Sequence, residues 1–295
     1  MERPNPNIAK LSGGKPYSRR LMVQSIANAK LDDKFSPLAT RLPLLIAEIK
    51  AYHPDMLVLL ESGCPSQGMA FVELAAQIEV ATGLEFVCIY RINANKEFFA
   101  KSLFVDPTRI MVIKARRVWT RGNGSICDGD HFGNDILAVT VSPVDDLKQV
   151  YDRELTFGAV HFPLSVDGRL QVAQWLADHN DMVDHISGDT NCFMNIRGQD
   201  QLDILETAYI STLPADTGIT YRDFDYNFKI FADDRIPSTA VVIGPGPEPN
   251  TSKILFEGWL DRAYQSKTTS ITSTSFAGPL TGASDHAPVI TDFTL

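Results

Sequence analysis

Asp55-Met-Leu-Val-Leu-Leu-Glu61 is an unbroken apolar run of strand length, bounded at each end by a carboxylate. A strand without polar–apolar alternation is buried on both faces, which points to a sheet covered by helices. The neighbouring sequence supplies those helices. Residues 37–52 set Leu38, Leu42, Leu45, Ile46 and Ile49 at helical spacing, with Ser36 as N-cap and Pro37 in the first helical position. Residues 68–82 read as a second helix stopped by Gly83, and residues 21–27 read as an earlier strand that runs out at Asn28. The chain thus opens strand–helix–strand–helix.

From Leu84 the pattern becomes β-rich, with strand-like segments at 85–92, 97–104, 110–118, 135–141 and 155–161 separated by turn residues. A helix follows at 166–181, with Leu170, Ala173, Leu176 and Ala177 on one face, and a short strand at 183–187 leads into Gly188-Asp-Thr-Asn191. Residues 199–208 read as a further helix and 287–293 as a final strand. The Pro/Gly stretch 244–249 and the Ser/Thr/Gly-rich stretch 267–282 read as loops. No repeat and no low-complexity linker divides the chain, so residues 21–295 read as one α/β domain behind a flexible tail at 1–20.

The 295 residues carry 27 Lys and Arg against 36 Asp and Glu, a net charge of −9, and 44% of them are hydrophobic. That balance excludes a protein that coats nucleic acid through a broad basic surface, but leaves room for an enzyme that grips a few phosphates. No apolar run reaches the roughly 18 residues of a spanning helix, and the N-terminus has no apolar signal core, so an intracellular address is expected. The cysteines Cys64, Cys88, Cys127 and Cys192 show no C-x-x-C spacing and read as buried or free thiols.

Chemistry-bearing residues recur where apolar strands end: Asn28, Glu61, His161, Asp189 with Asn191, and Asp285 with His286. Strand ends along one sheet edge are where α/β folds present ligand-binding side chains. The set is rich in Asn and carboxylate oxygen, which suits Mg²⁺, Mn²⁺ or Ca²⁺ better than Zn²⁺. A hard cation with two histidines suggests hydrolysis at phosphorus, the cation stabilising phosphoryl charge while a histidine takes a proton from water. A zinc cluster of His179, His185 and Cys192 is disfavoured by its irregular spacing.

On these residues the sequence resembles the endonuclease/exonuclease/phosphatase superfamily, from about Leu21 to Leu295. The main pieces are Ser187-Gly-Asp-Thr-Asn191 and Ser284-Asp-His-Ala-Pro288, supported by Leu59-Leu-Glu61, Val160-His-Phe-Pro163, Phe132-Gly-Asn-Asp-Ile-Leu137, Asn95-Lys-Glu-Phe98 and Thr220-Tyr-Arg-Asp-Phe-Asp-Tyr-Asn-Phe228. The resemblance implies a four-layer α/β sandwich, two packed mixed β-sheets flanked by helices. It implies that Glu61 and Asn28 hold a catalytic Mg²⁺, or Mn²⁺ in its place, with Asp285 close to the metal. It further implies that His286 acts on the attacking water or the phosphate, oriented by Asp225. By the same resemblance Asp189 and Asn191 would position nucleophile and phosphate, and His161, paired with Glu97, would donate at the phosphate. Asp223, Asp233 and Asp234 compete with Asp225 for its role, and the Gln usual before the metal-binding Glu is here Leu60.

Substrate is read from the surroundings. Lys114, Arg116, Arg117 and Arg121, with Trp119 among them, form a basic cluster that reads either as a grip on nucleic-acid phosphates or as a solvated strand face. With Lys96-Glu97 and His161-x-Pro163, it favours a Mg²⁺-dependent nuclease. The alternatives are a phosphoinositide phosphatase or sphingomyelinase-like hydrolase acting on a lipid or small phosphate ester, and an inactive scaffold.

Overall fold

The computed structural model describes residues 10–11, 18–26, 37–63, 70–90, 100–119, 135–145, 150–151, 153–163, 166–192, 199–214, 217, 220–229, 241–245, 251–258, 260–281 and 283–294. In chain order the first elements are β1 (Lys10–Leu11), β2 (Ser18–Ser25), α1 (Leu38–Tyr52), β3 (Met56–Leu60), α2 (Phe71–Thr82), β4 (Glu85–Tyr90), β5 (Lys101–Val105) and β6 (Ile110–Trp119). The middle of the chain forms β7 (Asp135–Pro143), β8 (Val150–Tyr151), β9 (Leu155–His161), α3 (Val166–Asp178), β10 (His185–Asp189) and α4 (Gln199–Ala208). Last come β11 (Tyr209–Ser211), β12 (Tyr221–Lys229), β13 (Val241–Pro245), β14 (Thr251–Gly258), β15 (Asp261–Ser266), β16 (Thr272–Ala277) and β17 (Val289–Thr294).

Two six-stranded mixed sheets carry the fold, in the orders β16-β17-β2-β3-β5-β4 and β11-β15-β10-β9-β7-β6. At the centre of each lies a parallel pair joined through a helix: β2 and β3 through α1, β9 and β10 through α3. The strand β3 explains why Asp55–Glu61 lacks alternation. Its Leu57 and Leu59 pack with Leu38, Leu42 and Leu45 of α1, whereas Met56, Val58 and Leu60 pack with Leu137, Val139 and Phe157 of the second sheet. Each such side chain contributes about 1.5–3 kcal/mol on burial. The second sheet repeats the plan, with Val160 and Ile186 facing Val172, Leu176 and Leu205 of α3 and α4. Helices, sheet, sheet, helices make four layers, as expected.

Helix ends follow local chemistry. Gly83 stops α2 in a left-handed conformation (φ 78°) and donates its N–H to the Glu79 carbonyl. His53 closes α1 in the same way without glycine's freedom (φ 47°).

Four expectations change. The first strand starts at Ser18, and Lys10–Leu11 pair with β8, so residues assigned to a tail lie in strands. Gly244 and Pro245 end β13, an outer strand of the three-stranded sheet β12-β14-β13, where proline's missing N–H is tolerated. Residues 272–277, read as loop from Ser and Thr content, form β16, because threonine is β-branched and suits a strand. Finally, the strand read as 183–187 spans His185–Asp189, which carries Gly188 and Asp189 into the sheet.

Candidate active site

In the second sheet three polar residues share one row. Asp189, the last residue of β10, is in register with His161, the last of β9, and with Asp261, the first of β15. In-register residues on neighbouring strands project to the same face about 4.8 Å apart, so the backbone ladder alone gathers two carboxylates and an imidazole. Gly188 makes the row possible: at φ 136° it passes so close to β9 that a Cβ would sit 2.2 Å from the Val160 carbonyl oxygen. Just beyond the row, Asn191 is left-handed (φ 49°), a conformation asparagine tolerates better than most residues. Its N–H bonds Asp189 Oδ1 at 2.7 Å and its Nδ2 bonds the Phe162 carbonyl at 2.7 Å.

The first sheet contributes Glu61, directly after β3, and the pair Asp285–His286, in the loop between β16 and β17. Glu61 is also left-handed (φ 57°), so two of the three non-glycine residues with positive φ among the described residues lie in this site. Such backbone costs about 1–3 kcal/mol per residue and concentrates where side chains are aimed for function. Ser62 holds the turn by donating both its N–H and its hydroxyl to the Ala100 carbonyl.

The two edges meet in an alternating chain of acids and imidazoles. His161 Nε2 lies 3.8 Å from Glu61 Oε1 and 3.6 Å from Asp189 Oδ2, and His286 Nε2 lies 3.8 Å from the same Asp189 oxygen. His286 Nδ1 contacts Asp261 Oδ2 at 3.0 Å and Oδ1 at 3.2 Å, while its Nε2 lies 4.0 Å from Asp285 Oδ1. Glu61 is half-buried and the rest is buried: Asp189, Asp261, Asp285, His161 and His286 each expose 6% or less. Burial drives the Asp189 carboxyl upward, Asp261 and Glu61 reinforce that, and His286 opposes it. For His286 burial alone disfavours the charged ring, but Asp261, Asp285 and Asp189 outweigh it and raise its pKa.

This surplus of carboxylates bears on a metal. Among the described residues no three of His, Cys, Asp and Glu converge as a closed metal cage. Mg²⁺, however, is usually held by one or two carboxylates, with water and substrate phosphate completing its shell. Oxygen donors at the partly exposed Glu61 and the buried Asp285, in a site with more acids than imidazoles, fit that chemistry.

The structure brings Glu61, His161, Asp189, Asn191, Asp285 and His286 together at one edge. Asn28, Glu97 and Arg121 lie outside the described residues, and Asp225 lies in β12, whose side chains are likewise outside them. Among the described residues it is Asp261 that contacts His286 Nδ1, the ring nitrogen through which an orienting acid acts. Arg116 and Arg117 lie half-buried on β6, the outer strand of the second sheet. His179 stacks on Trp175, whereas His185 bonds between the sheets, so no zinc cluster forms from them. Sequence reading gave no role to Thr220, whose hydroxyl accepts the N–H groups of Leu260 and Asp261 at 3.0 Å while its carbonyl accepts from Ala287. It missed as well the buried Lys101, which opens β5 beside this edge. The available signal for Asp261 was a lone acid inside Leu260-Asp-Arg-Ala-Tyr264.

No protein-family model matches the chain, and no curated protein matches it in sequence. Solved structures do match in fold. An endonuclease/exonuclease/phosphatase family protein from Bacteroides thetaiotaomicron superposes with a TM-score of 0.62 at 12% identity, covering 96% of this chain and 99% of that one. A mannosyl-6-phosphatase from the same organism gives 0.60 at 11%, covering 94% and 100%. D. rerio TDP2, complexed with a single-strand DNA product, gives 0.57 at 13%, covering 94% and 98%.

Proposed function

We propose, from the endonuclease/exonuclease/phosphatase fold that this chain has, that its sandwich is one catalytic unit that hydrolyses phosphate esters. The observation that carries the reading is the largely buried chain Glu61–His161–Asp189–His286–Asp261, assembled where strands of both sheets end. A purely structural site gains little from such a cluster, since buried acids and imidazoles lose hydration that a packed apolar edge would not.

In this reading Asp189 and Asn191 hold the attacking water, Asp189 as its carboxylate acceptor and Asn191 as a neutral neighbour beside a phosphate oxygen. The proton that water releases is accepted within the Asp189–His286 pair, whose Oδ2 and Nε2 lie 3.8 Å apart. Asp261 holds the His286 ring by Nδ1 and leaves Nε2 facing the reaction. His161, between Glu61 and Asp189, donates to a phosphoryl oxygen. Glu61 and Asp285, with Asn28, would hold Mg²⁺ or Mn²⁺, which when bound stabilises charge on a phosphoryl or leaving oxygen.

For the substrate, the half-buried Arg116 and Arg117 and the exposed Lys114 on β6 favour a nucleic-acid phosphodiester. The net charge of −9 favours instead a small phosphate ester. One panel separates them: duplex and single-stranded DNA, RNA, a tyrosyl-DNA adduct, sugar phosphates and phosphoinositides, each with Mg²⁺ and with chelator. Metal-dependent release of phosphate or shortened oligonucleotide is expected. Binding without turnover on every member would make the chain a scaffold, and undiminished turnover in chelator would end the metal reading.

A further inference from the structure

The core face of α1 carries two charged residues where apolar ones would be cheaper to bury. Arg41 exposes 3% and Glu48 6%, and they stand about two helical turns apart on the stripe that also carries Leu38, Leu45 and Tyr52. Their partners lie far away in sequence. Arg41 Nη1 donates to the carbonyl of Ala283 and, at 2.9 Å, to that of Ile26 at the end of β2. Glu48 accepts from the Thr281 hydroxyl through one oxygen and from Gln24 Nε2, at 2.9 Å, through the other. Gln24 Nε2 in turn reaches the His286 carbonyl at 3.5 Å. One turn further on, Tyr52 lies against Gly278, where a Cβ would meet the Tyr52 hydroxyl at 2.5 Å.

A single stripe of α1 therefore touches residues 278, 281 and 283 of the loop that delivers Asp285 and His286. Ser284 completes the attachment by donating to the Ser25 carbonyl at 2.6 Å while its oxygen accepts the His286 N–H at 3.1 Å. Burial pushes the Glu48 carboxyl upward, and the two donors pull it back, as suits a carboxylate held in place by hydrogen bonds.

We propose that Arg41 and Glu48 are positioning residues, which set where loop 278–288 lies and so where Asp285 and His286 meet Asp189 and Asp261, without touching substrate. The kinetic part of this rests on the phosphoesterase reading; the structural part does not. Displacement of a reacting group by about 1 Å costs on the order of 100-fold in rate. Glu48→Leu and Arg41→Met are therefore expected to lower kcat by about that factor with KM little changed, and to speed backbone amide exchange in Ala283 and His286. Glu48→Gln keeps an acceptor for Thr281 and is expected to recover most of the rate.

The control is Leu45→Ala on the same stripe, which loosens helix packing while leaving the hydrogen bonds of Arg41 and Glu48 to the loop in place, and is expected to keep kcat and loop protection. Should Glu48→Leu fail to fold, Thr281→Val removes the exposed donor at the other end of the contact and carries the same expectation at smaller size. Unchanged kcat and unchanged loop exchange in these variants, or equal losses in Leu45→Ala, would overturn the proposal. If the wild-type chain turns over no phosphate ester, the function reading fails, and loop exchange still decides the positioning role.

Discussion

The two sheets share a plan and differ in how they hold their half of the site. In the second, Asp189, His161 and Asp261 are strand residues in mutual register, and the hydrogen-bond ladder fixes them. In the first, Glu61 follows its strand in a left-handed turn, and Asp285–His286 sit in a loop fixed by side chains from α1 and β2. One half is backbone-built and resists changes that leave the ladder intact. The other depends on a few buried polar contacts and can be shifted without removing a reacting group.

The hardest test of the backbone-built half is to remove a member of the row. Asp261→Asn takes the charge from behind His286 while keeping the shape, and is expected to lower turnover by about 10²- to 10⁴-fold, the range for losing effective acid–base catalysis. Asp225→Asn serves as its contrast and should leave the rate near wild type. Steady-state kinetics on whichever phosphate ester the panel identifies decides between them. Equal losses in both would mean that Asp225 acts in the site as well.

That contrast also marks what the sequence could convey. Residues 55–61 were readable because both faces of β3 are buried, which removes alternation from the string itself. Gly188-Asp-Thr-Asn191 and Asp285-His286 were readable because polar residues stand where apolar strands stop. Asp261 was not, since its place beside His286 comes from the register of β15 on β10, a tertiary fact with no local mark. Arg41 and Glu48 look like the solvated side of a helix until loop 278–288 is laid across them, and that loop lies more than two hundred residues along the chain. Ser and Thr in β16 were misjudged because their hydroxyls find partners inside the sandwich, as Ser275 does with Thr212 and Thr291.

The next largest effect should come from the close approach that builds the row. Gly188→Ala sets a Cβ against backbone, the Val160 carbonyl, at a φ that side chains rarely adopt. Since neither atom is the end of a flexible side chain, β10 must shift, at a cost of about 3 kcal/mol, and Asp189 moves with it. Urea unfolding measures the first and turnover the second. A variant with wild-type midpoint and rate would show that the ladder is looser than its register implies.

Thr220 joins the halves, and its effect should be smaller. Thr220→Val keeps the shape and the carbonyl bonded to Ala287 but leaves the N–H groups of Leu260 and Asp261 without their acceptor. About 2 kcal/mol of stability should be lost, with a modest fall in rate as Asp261 loosens. A rate loss as large as that of Asp261→Asn would mean that the row depends on side-chain support as much as the loop does.

The smallest effect tests whether the sheets are coupled away from the site. His185, on β10, is buried between them, with Nε2 3.3 Å from Thr291 Oγ1 of β17 and Nδ1 3.4 Å from Ser273 Oγ of β16. Burial lowers its pKa to about 3. The folded protein thus keeps His185 neutral, whereas the unfolded chain protonates it below about pH 6.5. Below that pH the unfolded state binds the extra proton, so this contribution to stability is full above about pH 6.5 and is lost progressively as pH falls toward 3. At pH 5.5 the loss should be about 1.4 kcal/mol. Urea midpoints at pH 7.5 and 5.5 measure it, and His185→Gln, which cannot titrate, should shrink the difference by that amount. An unchanged difference in the variant would assign the acid sensitivity to other groups and leave the sheets joined, away from the site, by contacts that do not titrate.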